Sequence, residues 1–197
     1  MSAGRLGAAL GAFFLAVGIA AHALDELVDR PLQTALSRRT LIVLSVLGLG
    51  GAVTIGAIGA ATISLTLIPL VVLGAFLALA YNLELGGGRF HNDAWFALAW
   101  GGFPAFTGYF VNSLQIRPAG VLVAAACTLF SAAQRALSKP ARELRRRTAE
   151  LNGTQRLRSG EIRELDIAQV AAPLERALRA LWLAMVLLAA GLVAVRL

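Results

Sequence analysis

Charge is what this sequence most conspicuously lacks. Only 15% of its 197 residues are charged, where a soluble domain of this size carries about 25%. With 58% hydrophobic residues and a mean hydropathy of +0.73, the composition belongs to the membrane class. Cysteine is nearly absent: Cys127, alone inside an apolar run, excludes an internal disulfide framework and reads as a small buried hydrophobe. Acidic residues are missing altogether between Asp93 and Glu143. No basic–aromatic module accompanies the net charge of +7, so nucleic-acid binding is set aside. Positive charge beside apolar spans has a topological cause instead.

What the chain does have is long uncharged runs. Arg5 to Asp25 encloses 19 residues, Arg39 to Glu84 encloses 44, and Asp93 to Arg117 encloses 23. Arg117 to Arg135 encloses 17 and Arg179 to Arg196 encloses 16. A spanning helix needs about 20 residues at about 1.5 Å rise, so the 44-residue run holds two crossings. Its turn is expected near Thr62–Thr66, shortly before Pro69. The expectation is an all-α polytopic membrane bundle of about six spans, roughly 6–24, 41–61, 66–83, 94–112, 118–137 and 177–196. All 197 residues are read as one integral membrane domain.

Placing loops 25–40, 84–93 and 138–176 on one side gives that side, with its helix ends, 15 of the 18 basic residues and all eleven acidic ones. The positive-inside rule makes that side cytoplasmic, with both termini outside the cell membrane. A signal peptide is the rival for the first span, since Ala21-His22-Ala23 resembles a cleavage site. Cleavage would put Arg30, Arg38 and Arg39 outside, against the charge bias.

Small residues four apart, at Gly7 and Gly11 and at Gly48, Ala52, Gly56 and Ala60, predict close helix packing. In the polar segment 138–176, Ser138-Lys139-Pro140 is expected to break the fifth span. Arg142 to Glu150 then reads as a basic surface helix against lipid, ending at Asn152-Gly153. Ile162, Leu165, Val170 and Leu174 give an amphipathic approach to the last span, with Pro173 near its start.

Three polar constellations interrupt the apolar background. His22, Asp25, Glu26 and Asp29 fall within about 100° of helix arc, and carboxylates four apart suit a hard divalent cation such as Mg²⁺ bridging to phosphate. A solvated helix end is the alternative. In Tyr81 to Asp93, the glycines 86–88 make a loop or cradle a phosphate, with Arg89, His91 and Asp93 following. Together, His22, Asp25, His91 and Asp93 raise a second possibility, a site for another divalent metal. Ser131, Gln134 and Arg135 form a third set without a carboxylate.

Asp25 and Asp29, followed by Arg30-Pro31-Leu32, Thr34 and Ser37, resemble the aspartate motif of UbiA-type intramembrane prenyltransferases and the segment after it. Tyr81-Asn82, Arg89 and the run Trp100-Gly101-Gly102-Phe103-Pro104 to Gly108-Tyr109 extend the likeness over about residues 10–137. The resemblance implies a helical bundle with a cavity open to the cytoplasmic side. It implies Mg²⁺ held by Asp25 and Asp29, and a polyprenyl diphosphate that leaves an allylic cation for an acceptor. Arg30 and Arg89 would neutralise the diphosphate and Tyr81 would steady the cation. Asn82, Gln134 and Arg135 would complete the substrate-binding set. The family's second aspartate motif is absent here, and His22 and His91 are the residues left to replace its ligands. A non-catalytic lipid-binding or partner subunit of the same fold is the alternative.

Overall fold

Hydrocarbon surroundings leave a backbone no partner but itself, so apolar runs of this length settle as helices. The computed structural model describes residues 2–28, 30 and 33–195. Helix α1 is Ala3–Val28, whose middle, Phe14–Ala21, widens into a π-helix. Helix α2 is Arg38–Thr62, and α3 is Leu65–Asn82, opening on one 3₁₀ turn. Helix α4 covers residues 93–113 as Asp93–Ala97, a π turn Leu98–Gly102, and Phe103–Ser113. Helix α5 is Pro118–Arg146 and α6 is Ile167–Ala194, with a hairpin of β1 (Gly153–Arg156) and β2 (Ile162–Leu165) between them.

The helix starts follow from local chemistry. Ser37, Asn92 and Asp166 each stand at an N-cap and accept from backbone N–H groups of the first turn, at Thr40, at Ala94 and Trp95, and at Gln169. Helices α1, α2, α3, α5 and α6 are long and apolar enough to cross a membrane. The stretch expected as a fourth span is helical as α4 but does not join those five. Two tryptophans, Gly101-Gly102 and Pro104 dilute its hydropathy. The turn between α2 and α3 falls at residues 63–64, inside the expected window.

The chain forms two compact units, Met1–Ser131 and Ala132–Leu197. In the first, α1 packs against α2, α3 and α4, and α2 against α3. Gly48 makes the α1–α2 contact possible: a Cβ there would fall 2.8 Å from the Leu15 carbonyl oxygen. At Gly56 a Cβ would fall 2.5 Å from the Val71 side chain of α3. Gly7 departs from expectation, since a Cβ there would meet nothing within 4 Å. On α4, a side chain at Gly102 would collide with the Thr128 hydroxyl, so α5 approaches α4 across this glycine. Ala60, Leu67 and Phe110 form the buried core cluster at the end of the bundle where α2 meets α3.

The second unit corrects the reading of segment 138–176. Pro140 does not end α5, which continues to Arg146. A proline removes one N–H and crowds the carbonyl a turn back, here that of Ala136, and the remaining bonds of the ladder carry the helix on. Ile162 and Leu165 lie on a strand, not on an amphipathic helix, and α6 begins at Ile167, ten residues before the expected span. The hairpin closes through Leu157 N–H to the Glu161 carbonyl (2.8 Å) around Gly160, whose φ of +91° is the glycine position of a three-residue loop. Arg145 grips Glu175 with two bonds, 2.7 and 3.1 Å, joining α5 to α6.

Candidate functional site

The π-helical stretch of α1 delivers His22 to the start of the last two turns of that helix. Its Nδ1 lies 2.7 Å from the Val17 carbonyl, and because a carbonyl only accepts, Nδ1 is the protonated nitrogen. The ring is exposed. Asp25 is half-buried and engaged in an interaction of its own. Asp29 lies outside the described residues. Arg30 is exposed and its guanidinium reaches the Thr34 carbonyl at 3.4 Å.

The carboxylate that the fold buries is Glu26, only 2% exposed. It accepts from the Thr34 N–H at 2.6 Å and from the Thr34 hydroxyl at 3.1 Å. That arrangement fastens the chain returning to α2 against the end of α1. Sequence reasoning placed Glu26 on the acidic arc but gave it no task. The threonine eight residues on was the available signal.

Helix α3 ends in a Schellman motif. Leu85 N–H donates to the Ala80 carbonyl (3.1 Å) and Glu84 N–H to the Tyr81 carbonyl (3.3 Å). Glu84 takes the left-handed position, φ +50°, and Gly86, Gly87 and Gly88 follow at +66°, +69° and +80°. The loop turns His91 back under the helix end, where its Nδ1–H donates to the Tyr81 carbonyl at 3.0 Å. The imidazole stacks on the buried Tyr81 ring at 4.5 Å, with Glu84 Oε1 3.7 Å from Nδ1. Trp100 meets Tyr81 edge-on at 5.7 Å and Phe96 lies 5.9 Å away.

Asn82 is buried beside this cluster, its amide donating to the Ala78 carbonyl at 2.7 Å. Arg89 is exposed on the loop, and Asp93 is exposed in the first turn of α4. Gln134 is exposed and Arg135 half-buried on the part of α5 that belongs to the second unit. Tyr81, Asn82 and His91 are thus brought together. Among the described residues, no three His, Cys, Asp or Glu side chains gather as a metal-binding group. The described donors offer a divalent cation scattered carboxylates and not a set.

The first unit also holds a feature that span counting missed. A cavity of about 420 Å³ lies between α1, α2, α3 and α4. Its lining includes Ala9 and Ala12 of α1, Ala52 and Gly56 of α2, Val71 of α3 and Phe103 of α4. Short side chains on these walls help leave the space, and their spacing was the signal in the sequence. The lining runs from Arg5 to Val17 along α1 and extends to Ala78 and Trp100 on α3 and α4. Trp100 therefore touches both the cavity and the Tyr81–His91 cluster. Thr107, also on the wall, keeps its hydroxyl oxygen buried with no hydrogen-bond partner among the described residues.

Compared with protein-family models, with curated proteins and with solved structures, the chain matched none.

Proposed function

We propose that the first unit is an intramembrane lipid-binding bundle that lodges one hydrocarbon chain between α1, α2, α3 and α4. The cavity carries this reading: its volume of about 420 Å³ is in the range of ligand pockets, and its walls are apolar apart from Arg5, Trp100 and Thr107. In this reading the chain crosses the cell membrane six times, α4 included, with both termini outside. The Tyr81–His91 cluster then sits at the cytoplasmic interface, where aromatic side chains are favoured.

Lipids extracted from the purified full-length protein and identified by mass spectrometry test the proposal. Ala12→Phe and Ala52→Leu fill the cavity from two different helices. Both are expected to reduce the co-purified single-chain lipid at unchanged yield of folded protein. Undiminished lipid in both variants would refute it.

A prenyl- or lipid-diphosphate enzyme is the second reading, supported by Asp25 standing on α1 close to the buried Glu26 at the end opposite Arg5. In that reading Asp25 and Asp29 hold Mg²⁺, Arg30 and Arg89 meet the diphosphate, and Tyr81 faces the prenyl group. The expected result is Mg²⁺-dependent diphosphate release that Asp25→Asn abolishes. No release from polyprenyl diphosphates of several lengths would remove it.

A further inference from the structure

The lipid-binding reading leaves open which end of the ligand is polar, and Arg5 bears on that. Among the described residues it is the one charged residue lining the cavity, and it lies at the N-terminal end of α1. Among the described residues its guanidinium makes one hydrogen bond, Nη1 to the Val111 carbonyl, and that bond is long at 3.4 Å. A guanidinium has five N–H donors, so most of its capacity is unused.

Nothing acidic stands near it in the sequence. Positions 1–24, 30–83 and 94–142 contain no Asp or Glu, which clears both ends of α2, the start of α3 and all of α4 beyond Asp93. The nearest acid on its own helix, Asp25, is 20 residues away, about 30 Å along the axis. Neighbouring polar groups at this end are already paired with one another. The Asn112 oxygen accepts from the Ser2 N–H at 3.0 Å, and its amide donates to the Gly108 carbonyl at 3.1 Å. Arg117 donates to the Gln115 side chain at 2.7 Å. A half-buried cation on the wall of an apolar cavity, with no counter-ion among the described residues, is complementary to an anionic head group whose tail occupies that cavity.

We infer that the cavity binds a single-chain anionic amphiphile, a carboxylate or a phosphate ester, with its head group on Arg5 and its chain running toward Trp100. The inference rests on the lipid-binding reading and adds the charge and direction of the ligand. It places the head group at the end of the bundle opposite Asp25 and Glu26.

The test uses the full-length protein in phosphatidylcholine nanodiscs and three probes: oleate, lysophosphatidylglycerol and the uncharged monoolein. The wild type should bind at least one anionic probe about tenfold more tightly than monoolein, equivalent to about 1.4 kcal/mol. Arg5→Gln should remove that advantage, bringing the preferred anionic probe down to the affinity of monoolein, while Arg5→Lys should restore part of it. Preference for oleate assigns a carboxylate ligand, and preference for lysophosphatidylglycerol a phosphate ester. Equal binding of all three probes by the wild type would overturn the inference, as would an equal loss of all three in Arg5→Gln. Ala12→Phe separates the two levels. If it leaves all binding intact, the lipid-binding reading fails. If it abolishes binding while Arg5→Gln does nothing, only the head-group assignment fails.

Discussion

The two ends of α1 carry charged residues in opposite circumstances. At one end Glu26 is buried and answered from within the chain, by the amide and the hydroxyl of Thr34. At the other, Arg5 is half-buried beside a cavity and holds a single long bond to a carbonyl. A charge with its partners supplied by the fold has a structural task, because burial without them would be costly. A charge that the described residues leave largely unanswered, on the wall of an apolar cavity, is the one the proposed anionic head group would answer. The contrast moves attention away from the acidic end, where the sequence first directs it.

Breaking the answered end should have the largest effect. Glu26→Ala removes the acceptor of two hydrogen bonds and leaves the Thr34 amide without it. Hydrogen bonds to charged groups contribute about 1.5–3 kcal/mol each, so a loss of about 3 kcal/mol is expected. It would be measured as a lower thermal midpoint in detergent micelles. Glu26→Gln, which keeps one acceptor oxygen, should lose less. Arg5→Gln should leave the midpoint of lipid-free protein almost unchanged. Equal destabilisation by Glu26→Ala and Arg5→Gln would end the distinction between the two ends.

The small residues along α1 and α2 sharpen the comparison next. Gly48→Ala sets a methyl group 2.8 Å from the Leu15 carbonyl and 3.0 Å from the Ala20 nitrogen, both backbone atoms that move only with the helix. Overpacking of this kind costs about 1–3 kcal/mol. Gly7→Ala meets open space, and higher helix propensity should stabilise it by about 0.5–1 kcal/mol. Thermal unfolding of the pair gives opposite signs if the contact between α1 and α2 is as close as described. Matching signs would contradict it.

Hydropathy alone located most of what was legible. Uncharged runs gave α1, α2, α3, α5 and α6, and the Ser/Thr cluster before Pro69 gave the turn at residues 63–64. What escaped depends on interactions that composition does not carry. The π-helical stretch of α1 shifts hydrogen-bond partners without changing the apolar pattern, yet it sets where His22 points. Segment 153–165 alternates only weakly, and Ile162 and Leu165 read as an amphipathic approach to the last span until strand pairing is seen. Pro140 looked like a stop because a proline's local rule is strong, yet the loss of one bond does not end a helix that continues to Arg146. The cavity was hidden for a different reason. Alanine and glycine at helical spacing read as close packing, and whether facing small residues touch or leave a gap depends on helix separation, which one strand of sequence does not encode.

The smallest effect concerns Glu84, whose carboxylate lies beside the Tyr81–His91 stack. It occupies the left-handed position of a Schellman motif, φ +50°, where glycine is the usual residue. Glu84→Gly should therefore relieve about 1 kcal/mol of backbone strain. The contact it removes, 3.7 Å to His91 Nδ1 at a partly exposed site, contributes less than that. A slightly higher thermal midpoint is expected, with Tyr81 fluorescence unchanged because its stack on His91 does not use the carboxylate. Glu84→Gln serves as the control, keeping the strain and removing the charge, and should be close to neutral. If both variants lower the midpoint, the carboxylate holds the loop more firmly than its distance implies. Glu84 would then stand with Glu26 among the charges that the fold itself answers.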